Sequence, residues 1–529
     1  MAKPEKRETT EAKQGPIQDL REWLQRVEEM GELVRVTEAV SCEEEMSAIG
    51  YLVAKQNPSP AILFDNIKGY EKSPYKAQSL WNILGPSIRR IALTLEESPD
   101  TLTVELIRRV KDKLKNRLVP REVSQAGFFE NTVTGDNIDL TQLPIPKHWP
   151  LDGGRYAGTA DAVITRDPDS GYLNVGTYRM MLQGKKEAGL YLSPGKDARL
   201  HITRSWQQGK PVEVAAAWGI DPLFMVLGSQ TFPKNLSEYE FLGGIKGEPI
   251  PVVKGKTTNL LLPANAEFMI EGIIKPNSVK SEGPFGEFPG YYGRPEAGCP
   301  LVEITAIHYR NNPILTNALM ADYPSNEQSG FFSIIRSARI WDDLDKLGVP
   351  GIQGIYAHPA GAGGFGMTVI ALEQRYAGHA AQALALAAQV PGGAYYTKWI
   401  IAVDEDVDPT DMDQVIWAMS SRCNPIDDID ILRNTWSTWL DPTQNPPEKR
   451  PYGSKALINA CKEHRHLPVF SKRTALRKEM YDKVAGEWKK LGLPGQIPTV
   501  RAFEEKKEVV YHEVGGFEPG KQPGEENKK

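Results

Sequence analysis

Apolar positions recur along this chain with two different periods, and the change of period divides it into regions. Leu20, Trp23, Leu24 and Val27 fall on one face of a 3.6-residue repeat, with Pro16 at a first-turn position and Gly31 just past the end, which predicts a helix. Leu33-Val34-Arg35-Val36 reads as a strand, Glu43 to Lys55 as a helix and Ala61 to Phe64 as a buried strand. The opening region is therefore α/β and ends in the charged stretch Arg108 to Arg121. Around Leu143-Pro144-Ile145-Pro146 the pattern changes to short alternating runs among glycines and prolines, such as Ala162 to Ile164, Leu173 to Val175, Val212 to Ala216 and Leu301 to Ile304. To about residue 320 this predicts a largely antiparallel β region with functional loops. Residues 330 to 470 return to α/β, with a helix near Phe332 to Leu347, strands at Gly354 to Tyr356 and Met367 to Leu372, and a helix from Gly378. Leu476, Met480, Val484 and Trp488 form one stripe of a C-terminal helix, suited either to packing on its own domain or to a subunit contact. The expected units are a tail at 1–15, an N-terminal α/β domain at 16–125, a β domain at 126–325, a C-terminal α/β domain at 326–495 and a tail at 496–529.

Composition narrows the function class. Lys+Arg 63 against Asp+Glu 68 leaves −5, so no basic field invites nucleic acid or an anionic membrane. The most apolar stretch, Ala380 to Val390, is interrupted by Gln382 and Gln389 and falls far short of the ~20 residues that span a bilayer. Met1 to Lys13 is mixed in charge without an apolar core, so no secretory signal is expected and a cytoplasmic location is. Cys42, Cys299, Cys423 and Cys461 are far apart and show no CxxC spacing, which excludes a disulfide scaffold and a cysteine-only zinc site.

Two look-alike motifs carry no chemistry. Gly361 to Gly366 fits GxGxxG, but the β-branched run Met367-Thr368-Val369-Ile370 follows where a dinucleotide fold requires a helix, so a strand-to-strand loop is expected. Gly255-Lys256-Thr257 resembles the end of a P-loop, yet Ile250 stands at the required earlier glycine. There is no HExxH and no GxSxG.

Three segments do carry candidate chemistry. In Ser281 to Gly290, Glu282 and Glu287 flank a Gly-Pro-Phe-Gly turn that can fold both acids to one wall. Two neighbouring carboxylates cannot both ionise cheaply, so one becomes a general acid near neutral pH; two unrelated acids on a solvated turn are the alternative. Asn174 to Arg179 reads as a strand along which the two named residues lie about 16 Å apart, comparable to the reach of a flavin mononucleotide. Their parity differs, so a bulge, a twist or the long arginine side chain has to reconcile them. Arg179 is either a bidentate carboxylate holder or a surface cation. Glu238, ahead of an apolar run, is either a helix N-terminal charge or a metal ligand.

Taken in order, Asn174 and Arg179, then Glu238, the PVVKxxxxxLxxPAxAE pattern from Pro251 to Glu267, and the Glu282–Glu287 loop resemble the UbiD-type decarboxylases, over about Leu20 to Leu491. That family includes polyprenyl-hydroxybenzoate, ferulic acid, vanillate and gallate-type enzymes. The resemblance implies a central antiparallel split β-barrel-like flavin-binding domain flanked by N-terminal and C-terminal α/β domains. It implies prenylated FMN made by a separate flavin prenyltransferase, a divalent metal, Mn²⁺ or Mg²⁺, with K⁺ nearby, and a homodimer or homohexamer built through the C-terminal domain. By the same resemblance Asn174, Asp197 and Glu238 are the metal ligands, Asp197 replacing the usual His, with His201 as a substitute if the loop shifts. Asn174, Thr177, Tyr178, Arg179 and Glu238 border the cofactor. Arg179 and Glu282 position the substrate carboxylate and cofactor, and Glu287 donates the proton that replaces CO₂. Such chemistry needs an organic electron sink that no side chain offers.

Where relatives carry Lys before a Tyr-x-Gly turn, this chain has Glu373, and Arg375 stands in for the charge. Thr435 to Leu440 and Phe331-Phe332 are the expected substrate-pocket segments, equally readable as core aromatics. The departures at Asp197 and Glu373 are similar to phthaloyl-CoA decarboxylases and to benzene or naphthalene carboxylases. The expected activity is reversible, non-oxidative (de)carboxylation of an aromatic or α,β-unsaturated acid or its CoA ester. The alternatives are a non-catalytic subunit of a multi-subunit arene carboxylase, or an ordinary FMN oxidoreductase.

Overall fold

The computed structural model describes residues 15–503 apart from 194, 445–451, 468, 469, 472, 499, 501 and 502, so the two expected tails lie largely outside the described residues. The first helix, Leu20–Glu29, buries Leu20, Trp23, Leu24 and Val27. Asp19 rather than Pro16 starts it, because the Asp19 carboxylate accepts the Glu22 N–H that the first turn leaves free. A four-stranded sheet follows in the order Leu33–Val36, Ala61–Phe64, Gln78–Trp81, Ile314–Thr316. Its last strand returns from beyond the β region in sequence and pairs in parallel with Gln78–Trp81.

The middle of the chain forms a ten-stranded sheet in which every ladder is antiparallel. The hydrogen-bonded path runs Tyr156–Ala157, Met180–Gly184, Glu187–Leu190, Glu296–Tyr309, Phe268–Ile274, Val212–Trp218, Asp161–Arg166, Leu173–Gly176. Among the described residues this path does not return to its start, so no closed barrel is found. Yet its end strand, Leu173–Gly176, connects to Met180–Gly184 near the other end through Thr177 to Arg179 alone. Such a link spans at most about 14 Å. The end strand Leu173–Gly176 is thus joined to Met180–Gly184 by a three-residue link that carries Arg179.

The third sheet is mixed, in the order Ile352–Ala357, Met367–Leu372, Trp399–Asp404, Gly453–Ala460, Ile429–Thr435, with its three inner strands parallel. The GxGxxG segment joins its first two strands, which are antiparallel, and so is a hairpin loop. The long helix Glu327–Lys346 packs on this sheet and against Thr103–Lys113 of the N-terminal region. The Glu327 carboxylate accepts the N–H groups of Ile83, Leu84 and Gly85, which pins this helix to the first region. Of the C-terminal stripe, Leu476 ahead of the helix Lys478–Glu487 and Met480 and Val484 on it are exposed, while Trp488 just past it is half-buried. No helix among the described residues is long and apolar enough to cross a membrane.

Candidate active site

The expected continuous strand from Asn174 to Arg179 is broken after Gly176. A Cβ there would sit 2.3 Å from the Tyr178 ring, so only glycine lets the chain fold back this closely. The N–H groups that would extend the ladder go elsewhere, Thr177 N to Gly228 O at 3.1 Å and Tyr178 N to Asp161 Oδ1 at 3.1 Å. The break removes the parity conflict, because Asn174 and Arg179 no longer belong to one pleat.

Gly283, at φ +83°, turns the chain after Val279–Glu282, and Phe285–Gly286 pairs with Tyr292–Gly293. The hairpin brings Glu287 back beside Glu282. Arg179 Nε and Nη2 donate to the two Glu282 oxygens at 2.8 and 3.0 Å, and Nη1 donates to Glu287 Oε1. The guanidinium carbon lies 3.8 Å from the Tyr191 ring centroid and 4.7 Å from that of Phe285. All three charged side chains are 10% exposed or less. Burial pushes the Glu287 carboxyl upward, Arg179 opposes this, and the Glu282 charge adds to the rise. Burial works against the Arg179 charge, but Glu287 and Glu282 more than offset it and raise its pKa.

A cavity of about 40 Å³ opens beside Arg179, lined also by Tyr191, Leu192, Arg294, Trp439 and Leu440 among others. The Thr435 to Leu440 segment therefore reaches the site through Trp439 and Leu440, while Trp436 points mainly to solvent. Phe331 and Phe332 are buried core residues. Phe332 packs on Phe365 at 4.3 Å, and Phe365 packs on Phe288, next to Glu287, at 4.9 Å.

Asn174 is buried on its strand, beside Val175, whose N–H donates to Glu238 Oε2 at 2.7 Å. Glu238 opens the helix Glu238–Lys246, where Ser237 caps the first turn, so it is an N-terminal charge that reaches across to another element. Burial pushes its carboxyl up to about 8, and the Asp197 charge contributes. Asp197 opens the helix Asp197–Gln207 and also acts on Tyr172 and Tyr178. Tyr178 Oη stands 3.5 Å from Asn174 Nδ2, and Thr177 Oγ1 donates to Asp161 O. The Asp197 and Glu238 charges act on one another, and both act on Tyr178, which stands beside Asn174. Among the described residues no group of three or more His, Cys, Asp or Glu is placed to hold a metal ion. His201 Nδ1 lies 3.0 Å from Thr165 Oγ1, while its buried Nε2, 3.6 Å from Asp167, has no hydrogen-bond partner. Arg375 lies on an exposed turn, where its Nη2 donates to Glu373 at 2.7 Å.

Sequence reasoning missed Tyr191, Tyr156 and Asp152. Tyr156 couples to Glu282 and packs on Phe285 at 4.4 Å. Asp152 accepts the Gly286 N–H at 3.0 Å. The only signal for it was local, an Asp-Gly-Gly turn after an apolar-proline segment.

Three family models match in chain order, those of 3-octaprenyl-4-hydroxybenzoate carboxy-lyase: its N-terminal domain at residues 24–110, its Rift-related domain at 121–323 and its C-terminal domain at 329–460. The phenolic acid decarboxylase of Escherichia coli O157:H7 is 32% identical over 440 residues, covering 81% of this chain and 89% of the relative. That of Sedimentibacter hydroxybenzoicus is 33% identical over 454 residues, covering 84% and 91%. Among solved structures, the vanillic acid decarboxylase of Sedimentibacter hydroxybenzoicus in open form superposes with a TM-score of 0.79 at 31% identity, covering 90% of this chain and 100% of that one. The UbiD-class enzyme HmfF from Pelotomaculum thermopropionicum in complex with FMN gives 0.77 at 28%, covering 86% and 97%. An evolved dimeric form of it in complex with prFMN gives 0.75 at 27%, covering 87% and 97%. With all three domains present in order around the Arg179, Glu282 and Glu287 contact, this chain belongs to the UbiD family of carboxy-lyases.

Proposed function

We propose that the protein catalyses the non-oxidative, reversible decarboxylation of an aromatic or α,β-unsaturated carboxylic acid, with prenylated FMN as cofactor and Glu287 as general acid. The observation that carries this reading is the buried contact of Arg179 with both Glu282 and Glu287 at the edge of a cavity walled by Tyr191, Trp439 and Leu440. The flavins held by the HmfF structures and the phenolic and vanillic acid activities of the relatives support the cofactor and the substrate class.

Bound prenylated FMN supplies the electron sink that loss of CO₂ from an sp² carbon requires. The chain's own residues do the rest. Glu282 grips Arg179 through two hydrogen bonds, so the guanidinium fork is fixed before a substrate carboxylate meets it. Glu287, whose pKa burial raises, is the group that delivers a proton to the carbon that CO₂ leaves. In the reverse direction it removes that proton. Tyr191 and Phe285 cover the guanidinium and keep water from the reacting carbon. Asn174, Asp197 and Glu238 would hold Mn²⁺ or Mg²⁺, with K⁺ as a second ion, and together with Thr177 and Tyr178 they would take part in binding the cofactor. A cytoplasmic homodimer or homohexamer, loaded by a flavin prenyltransferase and acting on a free acid or its CoA thioester, completes the reading. The intact acid pair opposes a non-catalytic subunit.

The test is coexpression with a flavin prenyltransferase, anaerobic purification, and a screen of aromatic acids and CoA esters for CO₂ release. Glu287→Gln is expected to keep its flavin absorbance and lose both CO₂ release and CO₂-dependent deuterium exchange. Full turnover by that variant removes Glu287 from the mechanism, and a wild-type chain without flavin favours the subunit reading.

A further inference from the structure

We infer that Asp152 is a positioning residue, which, with the segment Trp149 to Gly153, clamps the Glu282–Glu287 hairpin and sets where the Glu287 carboxyl points. This rests on the reading of Glu287 as the proton donor.

The hairpin that carries both acids has only a two-residue ladder of its own, Phe285–Gly286 on Tyr292–Gly293. A strand pair that short does not hold a carboxyl to the few tenths of an ångström that proton transfer demands. The missing constraint comes from a segment 134 residues away in sequence. Asp152 Oδ1 accepts the N–H of Gly286, the residue before Glu287, at 3.0 Å, and Oδ2 accepts Trp149 N–H at 3.0 Å. One carboxylate therefore ties the hairpin to the turn that precedes it. Gly153 N donates to Pro284 O at 2.8 Å, and Leu151 N donates to Tyr292 Oη at 3.2 Å, so the same segment holds both arms of the hairpin.

The fit leaves no slack. A Cβ on Gly153 would stand 2.1 Å from Gly283 O, and one on Gly286 would stand 2.3 Å from Trp149 Cδ1. Both contacts are to parts that cannot swing aside, one of them backbone. Trp149 is itself anchored, with Nε1 donating to Met320 O at 2.9 Å. Burial pushes the Asp152 carboxyl up to about 6, so the fold accepts an acid that is costly to ionise in exchange for two oriented acceptors. Among the described residues Arg179 and Tyr156 are the charged and titratable groups that face it.

The experiment uses the flavin-loaded protein and any acid that the wild type turns over. Asp152→Ala is expected to lower kcat per bound flavin by about 10²-fold with KM little changed, since a displaced catalytic group costs rate rather than affinity. Its solvent deuterium isotope effect on kcat should rise, because proton delivery becomes slower than the steps around it. Amide exchange in a peptide covering residues 283–288 should accelerate. Asp152→Asn keeps one acceptor and should give an intermediate loss. Gly153→Ala pushes the hairpin from the same side and should mimic Asp152→Ala; these two variants carry the test if the alanine variant does not fold. A lowered melting temperature with unchanged kcat per flavin, isotope effect and exchange would show a merely structural residue and overturn the inference. The outcomes separate from those for Glu287: an inactive Glu287→Gln beside a fully active, unchanged Asp152→Ala sinks only the clamp. An active Glu287→Gln sinks the reading beneath it.

Discussion

Gly255 to Thr258 and Glu282 to Glu287 both surround a buried glutamate with a tight, glycine-bearing turn. In the first, Glu271 accepts the N–H groups of Lys256, Thr257 and Thr258 and the Thr258 hydroxyl, while His308 Nε2 lies 2.9 Å from Oε1. A backbone nest of this kind can bind a phosphate; here the chain's own carboxylate fills it. Burial opposes the Glu271 charge, but His308 and the surrounding donors outweigh it and bring its pKa to about 2. In the second turn the acids meet one guanidinium, the Glu287 pKa is raised, and a cavity stands beside them. Burial and charge are common to both. What distinguishes the second turn from a brace is a carboxyl whose pKa is raised rather than lowered, beside a guanidinium that lines open space.

The contrast can be broken most forcefully at the second turn. Glu287→Gln should lower CO₂ release by at least about 10³-fold while the melting temperature stays near wild type. Arg179→Lys should lose about 10²-fold in kcat/KM, because an ammonium cannot hold Glu282 bidentately and still reach Glu287. At the first turn the effects should fall on stability instead. Glu271→Gln should cost about 2–4 kcal/mol in denaturant unfolding, with kcat per folded enzyme unchanged.

A pH series sharpens the difference further. The stability that Glu271 contributes is fully present above the ordinary glutamate pKa of about 4.3 and is lost as pH falls from there toward about 2. Activity that needs protonated Glu287 falls in the opposite direction, as pH rises through its raised pKa. The smallest effect is at Lys256, whose Nζ only touches Thr132 Oγ1 and the Phe129 ring. Lys256→Ala should change stability by about 0.5 kcal/mol or less and leave turnover intact. A larger change would mean that the nest is not closed on itself.

Much of the scaffold was legible because it is local. Leu33–Val36, Ala61–Phe64 and Met367–Leu372 are the runs that periodicity alone selects. Glu282 and Glu287 could be paired on paper because a Gly-Pro turn closes over five residues. Arg179 lies 103 residues from Glu282, and only a resemblance to known enzymes joined them in advance. The break at Gly176 depends on Asp161 and Gly228, and the fate of Arg375 depends on which acid its turn presents. The Asp152 tie to Gly286 had no sequence signal beyond a turn, since nothing in a pattern tells which distant N–H a carboxylate will accept.

By itself, the sequence determined the alternation of α/β, β and α/β regions and the turn that couples two glutamates, because these rest on near-neighbour sterics and residue type. Only the tertiary structure decided that Arg179 meets both glutamates of the loop, that Glu271 is held ionised by surrounding donors while burial raises the Glu287 pKa, and that a remote aspartate accepts an N–H of the hairpin. Those outcomes turn on which long-range hydrogen bonds form when the core closes, a quantity that exists only once the chain is folded.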